Sequence, residues 1–177
     1  MSKSREDWID TAWHVLGVSG VEGIRIEQLA RQLNVTKGSF YWHFKNRQLL
    51  IDALLERWLG MREEICPGYS AAPEEPGELI WKVIERGIER GTRGQAAALR
   101  LWGQRNPDVA VKIEKADSLR QKFLVDQFLG LGHDRDTAET RAEVYMAVIS
   151  AEFLHSGSLS KSDRLSRARR KHEMLIS

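Results

Sequence analysis

The chain has 177 residues, with 42% hydrophobic and 29% charged side chains, a balance that excludes a disordered polyelectrolyte and describes a globular protein able to bury a sizeable core. Its 27 basic and 25 acidic residues leave a net charge of only +2, so total charge alone points to no polyanionic partner. There is no run of about 18 apolar residues and the start, MSKSREDW, lacks the apolar core of a secretion signal, so a cytoplasmic protein with no membrane association is expected.

Apolar residues recur at helical spacing throughout, and no alternating strand pattern interrupts them, so the expected fold class is all-α with about nine helices. The first helix is predicted over about 4–17, with Ile9, Ala12, Trp13 and Leu16 on one face and Gly17 as its stop. A second runs over Ile26–Leu33. Asn34-Val35-Thr36 then breaks the pattern: asparagine tolerates a left-handed backbone and Thr36 is a good N-cap for a helix opening at Lys37. Helix, tight turn and helix follow in order, the third ending near Phe44. Asn46 is placed to cap a long fourth helix that carries Leu50, Leu54, Trp58, Met61 and Ile65.

Residues 66–77, CPGYSAAPEEPG, hold three of the four prolines and are predicted as a loop. A fifth helix is expected around Leu79–Ile88, a sixth over about 95–103 and a long seventh from Pro107. An eighth follows over about 136–156, and the tail 162–177 is a basic ninth helix whose simplest reading is a solvated face. The eighth helix is apolar on two sides, with Ala138, Ala142, Tyr145 and Ile149 on one stripe and Val144, Ala147, Val148 and Ala151 on another. Such a helix is either central in a bundle or in contact with a second copy of the chain. The expected dimer face comprises Ala138, Arg141, Ala142, Tyr145, Val148, Ile149, Glu152 and Phe153.

The single cysteine, Cys66, rules out an intramolecular disulfide, and no Cys/His cluster has zinc-ligand spacing. His14, His43, His133, His155 and His172 are scattered, and Glu152 with His155 is a lone pair three residues apart. With no nucleophile beside a base and no paired carboxylates, neither an enzyme nor a cofactor or metal is expected.

The segment from Arg31 to Arg47 carries Arg31, Lys37, Lys45 and Arg47 without one carboxylate. Phe40 and Phe44, four apart, are predicted core, which leaves Tyr41, Trp42 and His43 pointing elsewhere beside those cations. A helix-turn-helix needs this: a short second helix with its N-terminal end near base edges and flanking donors on phosphates. Arg25, Thr36, Lys37, Gly38, Ser39, Tyr41, Trp42, His43, Lys45 and Arg47 are therefore the candidate DNA-binding residues. Gly38 removes bulk where a backbone would approach the duplex.

IEQLARQLNVTKGSFYWHFKNRQLL resembles the signature of TetR (tetracycline-repressor-like) family regulators, roughly T-x-x-x-I-A-x-x-x-G-V-S-x-G-x-[LFI]-Y-x-[HY]-F-x-[SN]-K-x-x-L, over about residues 8–58. The resemblance implies that Lys37, Gly38, Ser39, Tyr41 and His43 touch operator DNA, Tyr41 and His43 mainly through phosphates. Arg25 stands where the family has threonine or serine, Asn34 replaces the turn glycine, and Arg47 replaces the fourth-helix lysine. It further implies a DNA-binding domain at 1–46 and a helical ligand-binding and dimerisation domain at 47–177. The expected function is a repressor that binds a palindromic double-stranded operator as a homodimer and is released by a largely apolar small-molecule effector. An activator of the same fold, or a helical small-molecule-binding protein without operator recognition, are the alternatives. Trp58, Met61, Trp81, Leu101, Trp102, Phe123 and Tyr145, with Arg62 and Arg105 as polar anchors, are the candidate effector-binding residues, plain core being the other reading of the apolar ones.

Overall fold

The computed structural model describes residues 3–63, 75–91, 93–155 and 159–177. Among these residues there are nine α-helices and one 3-10 turn: α1 (Arg5–Ser19), the turn Val21–Gly23, α2 (Ile26–Leu33), α3 (Lys37–Tyr41), α4 (Arg47–Glu63), α5 (Pro76–Glu89), α6 (Arg93–Gly103), α7 (Pro107–Gly130), α8 (Arg135–His155) and α9 (Lys161–Ile176). No helix among the described residues is long and apolar enough to cross a membrane.

The chain forms two compact units. The first comprises Met1–Gly60 with Gly94–Ala110, the second Met61–Arg93 with Val111–Ser177. Most of α4 and nearly all of α6 thus belong with the first unit, whereas the boundary that the resemblance implies falls after residue 46. The reason lies in packing: Leu50, Ile51, Leu54, Leu55 and Trp58 of α4 are buried, and α6 is tied to α1.

In the first unit, α1 opens with a reciprocal cap. Ser4 Oγ accepts from the Asp7 backbone N–H at 3.1 Å while the Asp7 carboxylate accepts from the Ser4 N–H at 2.7 Å. The carboxyl of Asp7 is held below the ordinary aspartate range by these hydrogen bonds, the backbone one foremost. The helix runs past Gly17, the expected stop, and ends at Gly20, whose φ of +68° supplies the left-handed exit. Gly17 instead permits a close approach. The side chain of Gln95 crosses over it and donates from Nε2 to the Trp13 carbonyl at 3.0 Å, and a Cβ on Gly94 would lie 2.2 Å from the Gly17 carbonyl oxygen. Arg57 of α4 also fastens α1, reaching Asp10 at 2.6 Å and lying over the Trp13 ring.

In the second unit, one core joins α5, α7, α8 and α9 through Ile80, Ile88, Leu124, Phe128, Ala142, Tyr145 and Ala168. Pro76 and Gly77 were expected in the loop but open α5, where proline's missing N–H removes no helical bond. Glu75 is the N-cap residue of α5, and residues 66–74, Cys66 among them, lie outside the described residues. The tail helix is not a solvated face: Arg164, Ala168 and His172 are buried along one side of α9. Arg164 Nε donates to Glu152 of α8 at 2.9 Å, with Lys171 Nζ 3.5 Å from the other carboxylate oxygen, so Glu152 is an internal ion-pair partner.

Candidate nucleic-acid interface

The interface candidate is built on the α2–α3 corner. Asn34 adopts φ 55°, ψ 47°, the left-handed conformation its side chain tolerates. Its N–H donates to the Arg31 carbonyl at 3.1 Å and the Val35 N–H to the Ala30 carbonyl at 3.0 Å, which closes the end of α2 in a Schellman pattern. The chain leaves in extended backbone at Thr36. That residue occupies the N-cap position of α3, but its hydroxyl makes no capping bond, contrary to the capping role expected for it.

Helix α3 is a single turn, Lys37–Tyr41, three residues shorter than its expected end at Phe44. Its rotation about its own axis is set by Phe40, which is fully buried, meets the Trp8 ring edge-on at 5.2 Å and stacks with Phe44 at 5.4 Å. With Phe40 turned inward, its neighbours face out: Tyr41 is 52% exposed and Trp42 88%. An indole so exposed buries almost none of its apolar surface within this chain. Lys45 is exposed, Ser39 half-exposed, and Gly38 faces open space, since an added Cβ would meet only Thr36 Oγ1 at 3.6 Å. The chain's own packing therefore does not demand glycine there.

Three side chains of the predicted set are engaged with the protein itself. His43 is half-buried and its Nε2 lies 2.8 Å from the Lys3 carbonyl oxygen, which can only accept, so Nε2 carries the proton. Lys37 forms an ion pair with Glu27 of α2. The hydrogen bond between them holds the Glu27 carboxyl below the ordinary glutamate range and the Lys37 ammonium above the ordinary lysine value. The carboxylate-free stretch 31–47 therefore acquires a carboxylate from outside itself.

Arg47, expected on DNA, turns inward: its Nε donates to the Ile24 carbonyl at 2.6 Å and its Nη2 to the Val21 carbonyl. It clasps the 3-10 turn that leads into α2. Arg25 stands at the N-cap of α2, exposed; its carbonyl accepts from Gln28 and Leu29, and its side chain makes no capping bond.

Residues 9–54 match the family model described as "Bacterial regulatory proteins, tetR family". The chain is 30% identical over 132 residues to the class C tetracycline repressor protein of Escherichia coli, an alignment covering 72% of this chain and 56% of that one. The chain belongs to the tetR family. It spans little more than half the length of that tetracycline repressor. A TetR transcriptional regulator from Legionella pneumophila superposes with a TM-score of 0.82 at 15% identity, over 100% of this chain and 99% of that one. A transcriptional regulator from Saccharomonospora viridis, solved in complex with choline, superposes with a TM-score of 0.79 at 15% identity over 98% and 97%. These two share the tetR fold with this chain: an N-terminal helix-turn-helix followed by a helical bundle.

The other candidate residues of this tetR-family chain fall in both units and are placed one by one. In the first, Trp58 is buried with the Arg100 guanidinium 5.8 Å from its ring centre, Trp102 is half-buried, Arg105 is exposed, and Leu101 is 62% exposed. In the second, Met61 is half-buried, and the side chain of Arg62 lies outside the described residues. Trp81, Phe123 and Tyr145 belong to the core. The Trp81 ring packs at 5.6 Å from His172 with the Arg169 guanidinium 5.0 Å from its centre. The Tyr145 hydroxyl lies 2.6 Å from His172 Nδ1. Burial pushes the Tyr145 phenol far above its ordinary value, so it stays protonated and donates to that nitrogen. The leftover His172 Nε2 is buried with no hydrogen-bond partner among the described residues.

The expected dimer face needs correction. Ala138, Ala142 and Tyr145 have no exposed surface and Ile149 almost none, because this stripe of α8 packs into the protomer's own core. Glu152 is buried in its ion pairs, and Arg141 reaches the Leu175 carbonyl of α9 at 2.7 Å. Val148 is half-buried, and the Phe153 side chain lies outside the described residues. The outward side of α8 is the other stripe, with Val144 45% exposed and Ala147 and Ala151 exposed. The expected dimer face was drawn mainly from the stripe of α8 that faces inward. The residues that sequence reasoning missed are Glu27, which lies outside the basic stretch, and His172, hidden in a tail of cations. Neither is marked in the sequence, since Glu27–Lys37 and Tyr145–His172 are pairings between different helices.

Proposed function

We propose that this chain is a DNA-binding transcriptional regulator, a repressor that grips a palindromic operator as a homodimer, with α3 in the major groove. The observation that carries the reading is the pairing of a fully buried Phe40 with an outward Tyr41 and Trp42 at the end of a one-turn helix. That arrangement presents amphipathic side chains, with Lys45 and Gly38 beside them, on a rigid corner of the fold, as direct and phosphate readout require. Arg25, Ser39 and Thr36 complete the proposed contact set, while Arg47 supports it from behind.

The second copy is proposed to meet the outward stripe of α8 and the end of α9. Val144 and the 69% exposed Met174 flank a groove of about 510 Å³ there, lined also by Thr140, Arg141 and Leu175. Release by a small molecule is supported by the choline complex of the Saccharomonospora viridis regulator, which shares the fold. Helix α4 is continuous in the chain from Arg47 to Glu63, across the division at Gly60, and offers a covalent path for coupling. Couplings of about 1–3 kcal/mol suffice for induction.

Selection of bound duplexes from a random pool tests the reading. A palindrome whose half-sites stand about one helical turn apart is the expected product. Recovery of no enriched sequence would leave the alternative of a helical small-molecule-binding protein. Reporter expression with and without the chain separates repressor from activator.

A further inference from the structure

We infer that the phosphate contact which family resemblance implies for His43 is made instead by the N-terminal segment that His43 holds: His43 is a positioning residue, and Arg5 with Lys3 supplies the donors. The inference rests on the DNA-binding reading above and adds two residues to its interface. A neutral imidazole has one N–H, and in His43 it is spent, since Nε2 lies 2.8 Å from the Lys3 carbonyl oxygen. The other ring nitrogen, Nδ1, is then an acceptor only, and an acceptor turned toward a phosphate oxygen is repelled. As placed, His43 has nothing to donate to DNA.

What the hydrogen bond does is fix the Lys3 backbone at the end of the α2–α3 corner, and two ring contacts repeat the attachment. The Arg5 guanidinium lies 4.9 Å from the centre of the Phe44 ring, and Trp8 meets Phe40 edge-on at 5.2 Å. Phe44 is buried and stands in the chain between His43 and the exposed Lys45, so the exposed Arg5 side chain joins the surface at that end of the corner. The two carboxylates of the same segment are engaged elsewhere: Glu6 reaches Arg57 of α4 at 3.5 Å, and Asp7 is held in the reciprocal cap with Ser4. Stacking does not cost Arg5 its donors. A guanidinium laid over a ring uses its face, while its N–H groups point outward in its plane and suit a phosphate. No internal contact has to break for the segment to meet DNA.

The test is DNA titration of the full chain over a range of salt, with a duplex recovered by selection and a scrambled duplex of equal length. It is run at about pH 8, above the ordinary histidine value, so that an imidazole carries one proton. One phosphate contact that releases a counterion into about 0.15 M salt is worth roughly fivefold in affinity. Arg5→Ala is expected to lose about that factor per bound protomer and to flatten the salt slope by about one per protomer, on both duplexes alike, because phosphates carry no sequence information. Arg5→Lys keeps the charge and is expected to keep the slope. His43→Ala is expected to weaken binding about two- to fivefold in the otherwise unmodified chain, and to change it by less than about twofold once Lys3 and Arg5 are both alanine. An unchanged slope in Arg5→Ala, with only the stability lowered, overturns the inference and leaves the stacking on Phe44 structural. A loss from His43→Ala that persists without Lys3 and Arg5 also overturns it, because the imidazole itself would then be on the phosphate. If the unmodified chain shifts no duplex at all, the DNA-binding reading fails and takes the inference with it, an outcome distinct from both.

Discussion

Arg47 separates two readings that sequence comparison merges, because a cation in the first turn of the fourth helix either meets a phosphate or supports the fold. The guanidinium is half-buried and donates to two backbone carbonyls, Ile24 at 2.6 Å and Val21, whose chain segment sets the entry into α2. A hydrogen bond from a charged donor is worth about 1.5–3 kcal/mol, and truncation also strands the acceptors, so Arg47→Ala is expected to destabilise the first unit by roughly 3 kcal/mol. Arg47→Lys keeps the charge but replaces a two-pronged fork with one ammonium. About half of that loss is expected for it, roughly 1–2 kcal/mol. Denaturant unfolding followed by the fluorescence of the tryptophans reads the stability, and DNA titration at several salt concentrations reads the contact. The expected outcome is a lowered midpoint with an unchanged salt slope in both variants. A slope flattened by about one counterion at unchanged stability would refute the reasoning and return Arg47 to the interface.

Gly94→Ala places a Cβ 2.2 Å from the Gly17 carbonyl oxygen, a backbone atom that cannot swing aside. The overpacking, about 1–3 kcal/mol, outweighs a helix-propensity gain of about 1 kcal/mol, so calorimetry is expected to show a lower Tm, and an unchanged Tm would deny the close approach of α1 and α6. His172 is held below the ordinary histidine value by burial foremost and by Arg169 second. The unfolded chain therefore binds more protons once the pH falls below about 6.5, and stability, complete above that value, declines as the pH falls toward the folded-state pKa and then levels off. His172→Gln is expected to flatten this part of a stability–pH profile measured between pH 8 and 5, and an identical slope would rule the residue out. Val144→Glu with Met174→Glu puts charge on the outward face of α8 and α9, and sedimentation is expected to show the proposed dimer dissociating while circular dichroism stays helical; a persisting dimer would place the interface elsewhere.

What depends on neighbours in the chain is legible in the residue order itself. Helical spacing marks each of the nine helices, asparagine at position 34 marks the left-handed turn, and the four-residue spacing of Phe40 and Phe44 marks the inward side of the recognition helix. Asn46 caps α4 as its position suggests, its Oδ1 accepting from the Leu49 N–H at 3.0 Å. These are local backbone and side-chain preferences, and the ordered signature around them is enough to indicate the tetR family. Pairings across the chain are not legible. That Arg47 clasps Val21 and Ile24, that Glu27 claims Lys37, and that α9 buries Arg164 and His172 against α8 and α5 depends on which faces meet in three dimensions. The eighth helix shows the difference most clearly: its sequence determined that two apolar stripes exist, while only the packing of α5, α7 and α9 around it decided that Tyr145 lies inside and Val144 outside. A helical period specifies which residues share a face, and the burial free energy that selects between faces belongs to the surfaces they pack against.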